Sequence, residues 1–199
     1  MPVHRSSQPG AGGSQAARSL RQRGTRPVSP TQAPEASGNW DAERTMHAAL
    51  RLLEHRARSA HELRQRLQRI GAPAGRISEA LQRLSAMGYV DDGAFARQWT
   101  ESRLRTGHGR RRIAQELHVK GVAPELIRRE LDAQAPPAEE LTGALEHARR
   151  RLRAWQRLPA AARQRRLQAF LQRRGFAVDV IEQVMERLVS ESDDRDEAL

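Results

Sequence analysis

Three short stretches of this 199-residue chain set chemically capable side chains at suggestive spacings. His61-Glu62 opens like the His-Glu-x-x-His helix of zinc proteases, where two histidines one turn apart hold the metal and the glutamate activates water. Gln65 stands where the second histidine belongs, and the remaining histidines are scattered without the carboxylate and imidazole clustering a catalytic metal needs. Tyr89-Val90-Asp91-Asp92 spells the paired-aspartate metal motif of template-copying polymerases. No strands flank it and helix-forming sequence follows at once, so Asp91 or Asp92 is expected to cap a helix. Gly107-His108-Gly109 begins like a dinucleotide-binding loop, but Arg112 occupies the third glycine's place and no strand precedes it. No Walker lysine loop or Ser/His/Asp arrangement is visible. The chain has no cysteine, which excludes disulfides, thiolate zinc, iron–sulfur ligation and cysteine nucleophiles. Neither enzymatic activity nor a metal or cofactor is expected.

What survives is cationic. The 35 basic residues against 24 acids leave a net charge of +11, and Lys120 is the sole lysine among them. Arginine forks suit phosphates and carboxylates, so a polyanion or an acidic protein surface is the natural partner. Arg103, Arg105, Arg110, Arg111 and Arg112 bracket the Gly107–Gly109 turn, and Lys120 and the pair Arg128-Arg129 extend the patch. Arg103, Arg105, Arg110, Arg111, Arg112, Lys120 and Arg128 are therefore the candidate binding residues. Further clusters lie at Arg149, Arg150, Arg151 and Arg153, and at Arg163, Arg165 and Arg166. Trp99 and Trp155 can stack on bases, although the helical spacing of Trp99 favours a core position. A solvated helical surface laced with ion pairs is the alternative reading of scattered arginine.

These side chains need a scaffold, and its elements are legible. Apolar residues make up 38% of the chain but aromatics only 4%, so a series of small modules is favoured over one large core. No run approaches the ~18 apolar residues of a membrane span, and the N-terminus lacks the apolar core of a secretory signal. Residues 1–39, rich in Gly, Pro, Ser, Gln and Arg, are expected to be a disordered basic tail. Their Arg- and Ser-rich, acid-poor composition also resembles an organelle transit peptide, but the glycines and prolines interrupt any amphipathic helix. Residues 191–199 are expected to form an acidic tail. Between the tails apolar residues recur every three or four positions, which makes the fold class all-α.

Glycines and prolines punctuate this middle, and a repeat emerges when Gly71, Gly121 and Gly175 are superposed. Eight residues before them stand Leu63, Ile113 and Leu167, and four before stand Leu67, Leu117 and Leu171. Six residues beyond come Ile77, Ile127 and Ile181, and ten beyond come Leu81, Leu131 and Met185. All twelve positions are apolar, at helical spacing on two helices joined by a glycine turn. The glycine steps of 50 and 54 residues leave room for one more helix per unit. The expected organisation is three tandem three-helix (helix-turn-helix-like) repeats, at 40–91, 92–136 and 137–190, in an elongated, curved array. The third register is the least regular, with extra length near Trp155–Pro159.

The same residues resemble the RecX family of regulatory proteins that act on the bacterial recombinase RecA. Arg58-Ser59, Glu62-Leu63 and Leu67, then Gly88-Tyr89-Val90-Asp91-Asp92 and Phe95-Ala96, match the family pattern in order and spacing. So do Arg103, Gly107, Gly109, Ile113, Glu116-Leu117, Lys120-Gly121-Val122, Ile127 and Leu131. The match covers residues 46–131; the third module agrees in its apolar skeleton and Gly175. The resemblance implies tandem three-helix repeats lying in the groove of the RecA filament on single-stranded DNA. It implies restraint of recombinase ATP hydrolysis, strand exchange and stimulated repressor cleavage, in DNA repair, homologous recombination and the SOS response. The implied partners are RecA and single-stranded DNA, bound directly or through RecA, with the protein a cytoplasmic monomer that uses neither membrane nor cofactor. The competing function is a helix-turn-helix or nonspecific DNA-binding protein acting without RecA. Replacing Arg110, Arg111 and Arg112 with alanine is expected to weaken docking and leave helicity intact.

Overall fold

The structure is a computed structural model that describes residues 39–197, with side chains through Glu191. The basic tail expected over 1–39 thus falls almost wholly outside the described residues. Those residues form nine α-helices and no strand. In chain order these are α1 (Ala42–His55), α2 (Ala60–Arg69), α3 (Ala74–Ala86), α4 (Asp92–Arg105), α5 (Arg110–Val119), α6 (Pro124–Gln134), α7 (Pro137–Ala154), α8 (Ala160–Arg174) and α9 (Val178–Glu197). Helix starts follow local chemistry. Asp41 accepts the Arg44 amide at 2.7 Å, and Ser59 accepts that of Glu62 at 3.1 Å. Asp91 accepts the Gly93 and Ala94 amides at 2.8 and 3.0 Å, so the polymerase-like Tyr89–Asp92 stretch is a helix cap. Pro124 and Pro137 open α6 and α7, where a missing amide costs nothing.

Each glycine turn closes in the same way. The amides of Gly71, Gly121 and Gly175 donate to the carbonyls of Gln68, His118 and Gln172, and the next amides reach back to Leu67, Leu117 and Leu171. This is the Schellman closure, with the glycine left-handed and a buried apolar residue, Ala72, Val122 or Phe176, behind it. Eleven of the twelve repeat positions are buried, and Met185 is half-buried against the third core. Three separate apolar clusters result. Leu63, Leu67, Ile77 and Leu84 centre the one between α1, α2 and α3, and Ile113, Leu117 and Phe95 the one between α4, α5 and α6. Leu167, Leu171 and Val184 centre the third, between α7, α8 and α9.

The third module departs from the other two. Helix α8 starts 15 residues before Gly175, whereas α2 and α5 start 11 before Gly71 and Gly121, so the longer glycine step is taken up largely as an extra turn. The segment expected as a separate acidic tail, 191–199, instead continues α9 to Glu197. No glycine or proline follows Val178 to stop the helix, and the Arg149 guanidinium clasps the Glu191 carboxylate across from α7.

Candidate nucleic-acid interface

Two equivalent seams join the three modules. At the first, the Ser59 hydroxyl donates to the Lys120 carbonyl at 2.5 Å; at the second, the Gly109 amide donates to the Arg174 carbonyl at 2.8 Å. Ser59 and Gly109 both lie 12 residues before their own glycine, and both carbonyls belong to the residue just before the next module's glycine. A carboxylate from the following module caps the same helix start in each. Asp92 accepts the Ala60 amide at 2.8 Å and Glu140 the Arg110 amide at 3.0 Å, so the α2 and α5 N-termini are satisfied from outside their own module.

Against this frame the seven candidate residues divide. Lys120 Nζ sits 2.9 Å from the Glu62 carboxylate, with side chains 16% and 17% exposed, and 4.1 Å from the centre of the Trp99 ring. Arg103 also lies over that ring, its guanidinium carbon 4.2 Å from the centre, and donates to Glu116 at 2.6 Å; Arg112 meets the same carboxylate at 2.9 Å. Trp99 itself stacks on Phe95 and donates from Nε1 to Glu116 at 3.1 Å, a core role. Arg110 is a clasp within its module, donating to the Leu131 carbonyl at 2.9 Å, to the Ala135 carbonyl and to Asp132 at 2.6 Å. Arg105, Arg111 and Arg128 are exposed, and none has a hydrogen-bond or ion-pair partner among the described residues. Four of the seven candidates, Arg103, Arg110, Arg112 and Lys120, thus have partners among the described residues and three do not. Arg110→Ala is expected to cost about 1–3 kcal/mol in thermal or urea unfolding, and Arg111→Ala less than about 0.5 kcal/mol.

The seams carry distinct electrostatics. Burial works against a charged Glu62, but hydrogen bonds from Arg56 and Lys120, with their positive charge, hold its pKa down at about 2. The second seam is lined by His108 and His147, whose pKa values both lie below the usual histidine range. Burial is the first cause; Arg174 is next for His108, and Arg150 followed by Arg174 for His147. Glu116 opposes the shift at His108, and Glu146 opposes it at His147. Because the folded values are depressed, the histidines' contribution is fully present above the unfolded pKa of about 6.5 and is lost as pH falls through the folded values. Glu140, raised first by burial against the pull of Arg110, has the opposite dependence at lower pH. Acidification from about pH 7.5 to about 5.5 should therefore destabilise the native chain more than the His108→Gln, His147→Gln double variant, as read by urea unfolding.

No cluster of three or more His, Asp or Glu among the described residues is placed to hold a metal ion. None of the described helices is long and apolar enough to cross a membrane. The seam groups Ser59, Asp92 and Glu140 escape sequence reasoning because their partners are main-chain groups 30 to 61 residues away.

Profiles for the first, second and third three-helix domains of RecX match residues 46–84, 91–131 and 138–185. The chain belongs to the RecX family. It is 40% identical over 141 residues to the regulatory protein RecX of Halorhodospira halophila, covering 70% of this chain and 85% of that one. It is 36% identical over 165 residues to regulatory protein RecX of Mycobacterium avium, covering 81% and 95%. Among solved structures, RecX from Lactobacillus salivarius superposes with a TM-score of 0.65 at 19% identity, over 74% of this chain and 96% of that one, a likeness of fold. The RecX relatives are named as regulatory proteins.

Proposed function

We propose that this chain regulates a RecA recombinase by docking on the filament that RecA forms on single-stranded DNA. The result is slower ATP hydrolysis, strand exchange and stimulated repressor cleavage, in recombinational repair and the SOS response. The observation that carries the proposal is the RecX match through all three modules, supported by a scaffold whose seams fix those modules to one another. Modules held in fixed register can contact several protomers at once, and such contacts gain avidity without a tight site on any one of them. The protein acts as a monomer in the cytoplasm and performs no chemistry of its own.

Arg105, Arg111 and Arg128 are the side chains assigned to the docking surface, because they point to solvent without internal partners. Arg103, Arg110, Arg112 and Lys120 serve docking by holding that surface in place. Co-sedimentation with RecA filaments on single-stranded DNA tests this. The chain should pellet with the filament, and an Arg105→Gln, Arg111→Gln, Arg128→Gln variant should bind about tenfold or more weakly with its helical content unchanged. Retention of full binding by the folded variant removes these three residues from the docking surface. Failure of the native chain to pellet with filaments removes the filament as its target.

A further inference from the structure

Between His147 and Val178 the chain carries ten arginines and no acidic residue. The second module commits its cations to carboxylates, Glu116, Glu130 and Asp132 of its own and Glu62 of the first module; this stretch has few acids within reach. Arg165, Arg166 and Arg173 are exposed on α8 and have no hydrogen-bond or ion-pair partner among the described residues. They surround an open hollow of about 570 Å³ whose other lining residues are Trp155, Ala162 and Ala169.

The sequence explains how the hollow forms. Ala162, Arg166, Ala169 and Arg173 follow one another at four, three and four residues, a single stripe along α8 in which small and cationic side chains alternate. Ala162 belongs to the extra turn that distinguishes α8 from α2 and α5. Trp155 ends α7 and forms the wall. Its ring meets Phe170 edge-on at 6.4 Å and 86°, so the indole is held by packing and remains half-exposed to the hollow.

A fixed, half-exposed indole beside a row of uncommitted guanidinium groups has two complementary halves: a π face for a planar base, and forks for the phosphates on either side of it. Duplex DNA hides its base faces in the stack, and a purely acidic chain such as polyglutamate offers no planar ring to the indole. The volume falls within the ~300–1,000 Å³ range of small-ligand sites, room for a base with its sugar. We propose that the third module holds a direct binding site for single-stranded nucleic acid. In it Trp155 stacks one base, and Arg165, Arg166 and Arg173 take adjoining phosphates. The site needs no recombinase, and stands or falls separately from filament docking.

Fluorescence anisotropy of a fluorescein-labelled oligothymidylate, titrated with the full chain and no RecA present, tests it. Arg165→Gln, Arg166→Gln, Arg173→Gln should weaken binding about tenfold or more, and should lower the slope of log affinity against log salt by about 2, at ~0.7 per phosphate contact. Trp155→Ala should weaken binding about fivefold or more, while Trp155→Phe, which keeps a stacking ring and the contact with Phe170, should retain most of it. Unaltered affinity and salt slope in the triple arginine variant, with native circular dichroism, overturns the site. So does labelled polyglutamate binding as tightly as the oligothymidylate, since the cations would then serve an acidic protein. A chain that slows RecA turnover yet fails these tests has lost this site and kept its filament function.

Discussion

Replacing Gly175 with alanine is expected to destabilise the chain by about 3 kcal/mol or more, whereas the same change at Gly88 should cost about 1–2 kcal/mol. Both glycines are left-handed, with φ of 81° and 76°, so the backbone penalty for a side chain is shared. What differs is the space. A Cβ on Gly88 meets nothing within 4 Å; one on Gly175 would lie 2.6 Å from the backbone nitrogen of Arg112, in α5 of the preceding module. Backbone cannot swing aside as a flexible side chain does, so the second seam must open. The difference between the two variants therefore isolates the seam from the turn. A local reporter is available in the Gly109 amide, which donates to the Arg174 carbonyl at 2.8 Å. Its hydrogen exchange should accelerate by at least about tenfold in Gly175→Ala and stay close to native in Gly88→Ala. Equal losses in the two variants would mean that the modules are joined elsewhere.

Leu117→Ala is expected to cost about 2–5 kcal/mol, and the loss should fall mainly on the second module. Leu117 is fully buried, as are its repeat equivalents Leu67 and Leu171, but each lies in a different apolar cluster. Those clusters communicate through polar seams, Ser59 with Lys120 and Gly109 with Arg174, rather than through shared apolar contacts. A cavity in one core thus leaves the packing of its neighbours intact, as in other repeat proteins. Hydrogen exchange in Leu117→Ala should show deprotection concentrated in α4, α5 and α6. Uniform deprotection across all nine helices would show that the modules unfold as one cooperative unit.

The repeat was legible because it is written in local periodicity. Leu63, Leu67, Ile77 and Leu81 keep their offsets from Gly71 in each copy, and a left-handed glycine before a buried apolar residue closes each turn. Helix caps at Asp41, Ser59 and Asp91 were readable for the same reason, each acting within three residues. The seams were not. Ser59 finds its partner 61 residues away in a carbonyl, a group every residue carries, so nothing in the side-chain pattern announces it. Glu62 looks like the acidic member of a capping box, but its carboxylate goes to Arg56 and to Lys120 of the next module.

The arginines were the least legible part. Arg110 and Arg111 are neighbours in sequence and equal in formal charge. One turns inward to the Leu131 and Ala135 carbonyls and Asp132, the other outward to solvent. Helical phase decides between them, and it depends on where α5 begins and what faces it. The acid-free stretch from His147 to Val178 and the shared helical face of Arg166 and Arg173 were visible in the sequence, but only the fold sets Trp155 at the end of α7 beside them.

The most direct measurement is ATP turnover by RecA already assembled on single-stranded DNA, titrated with this chain, with naked duplex and naked single strand as competitors. Docking along the filament predicts that turnover falls at well under one chain per RecA protomer and survives a modest excess of naked DNA. Turnover that holds until the chain saturates the DNA, or that naked strand restores in proportion to its phosphates, would contradict a filament regulator and leave a phosphate-binding protein in its place.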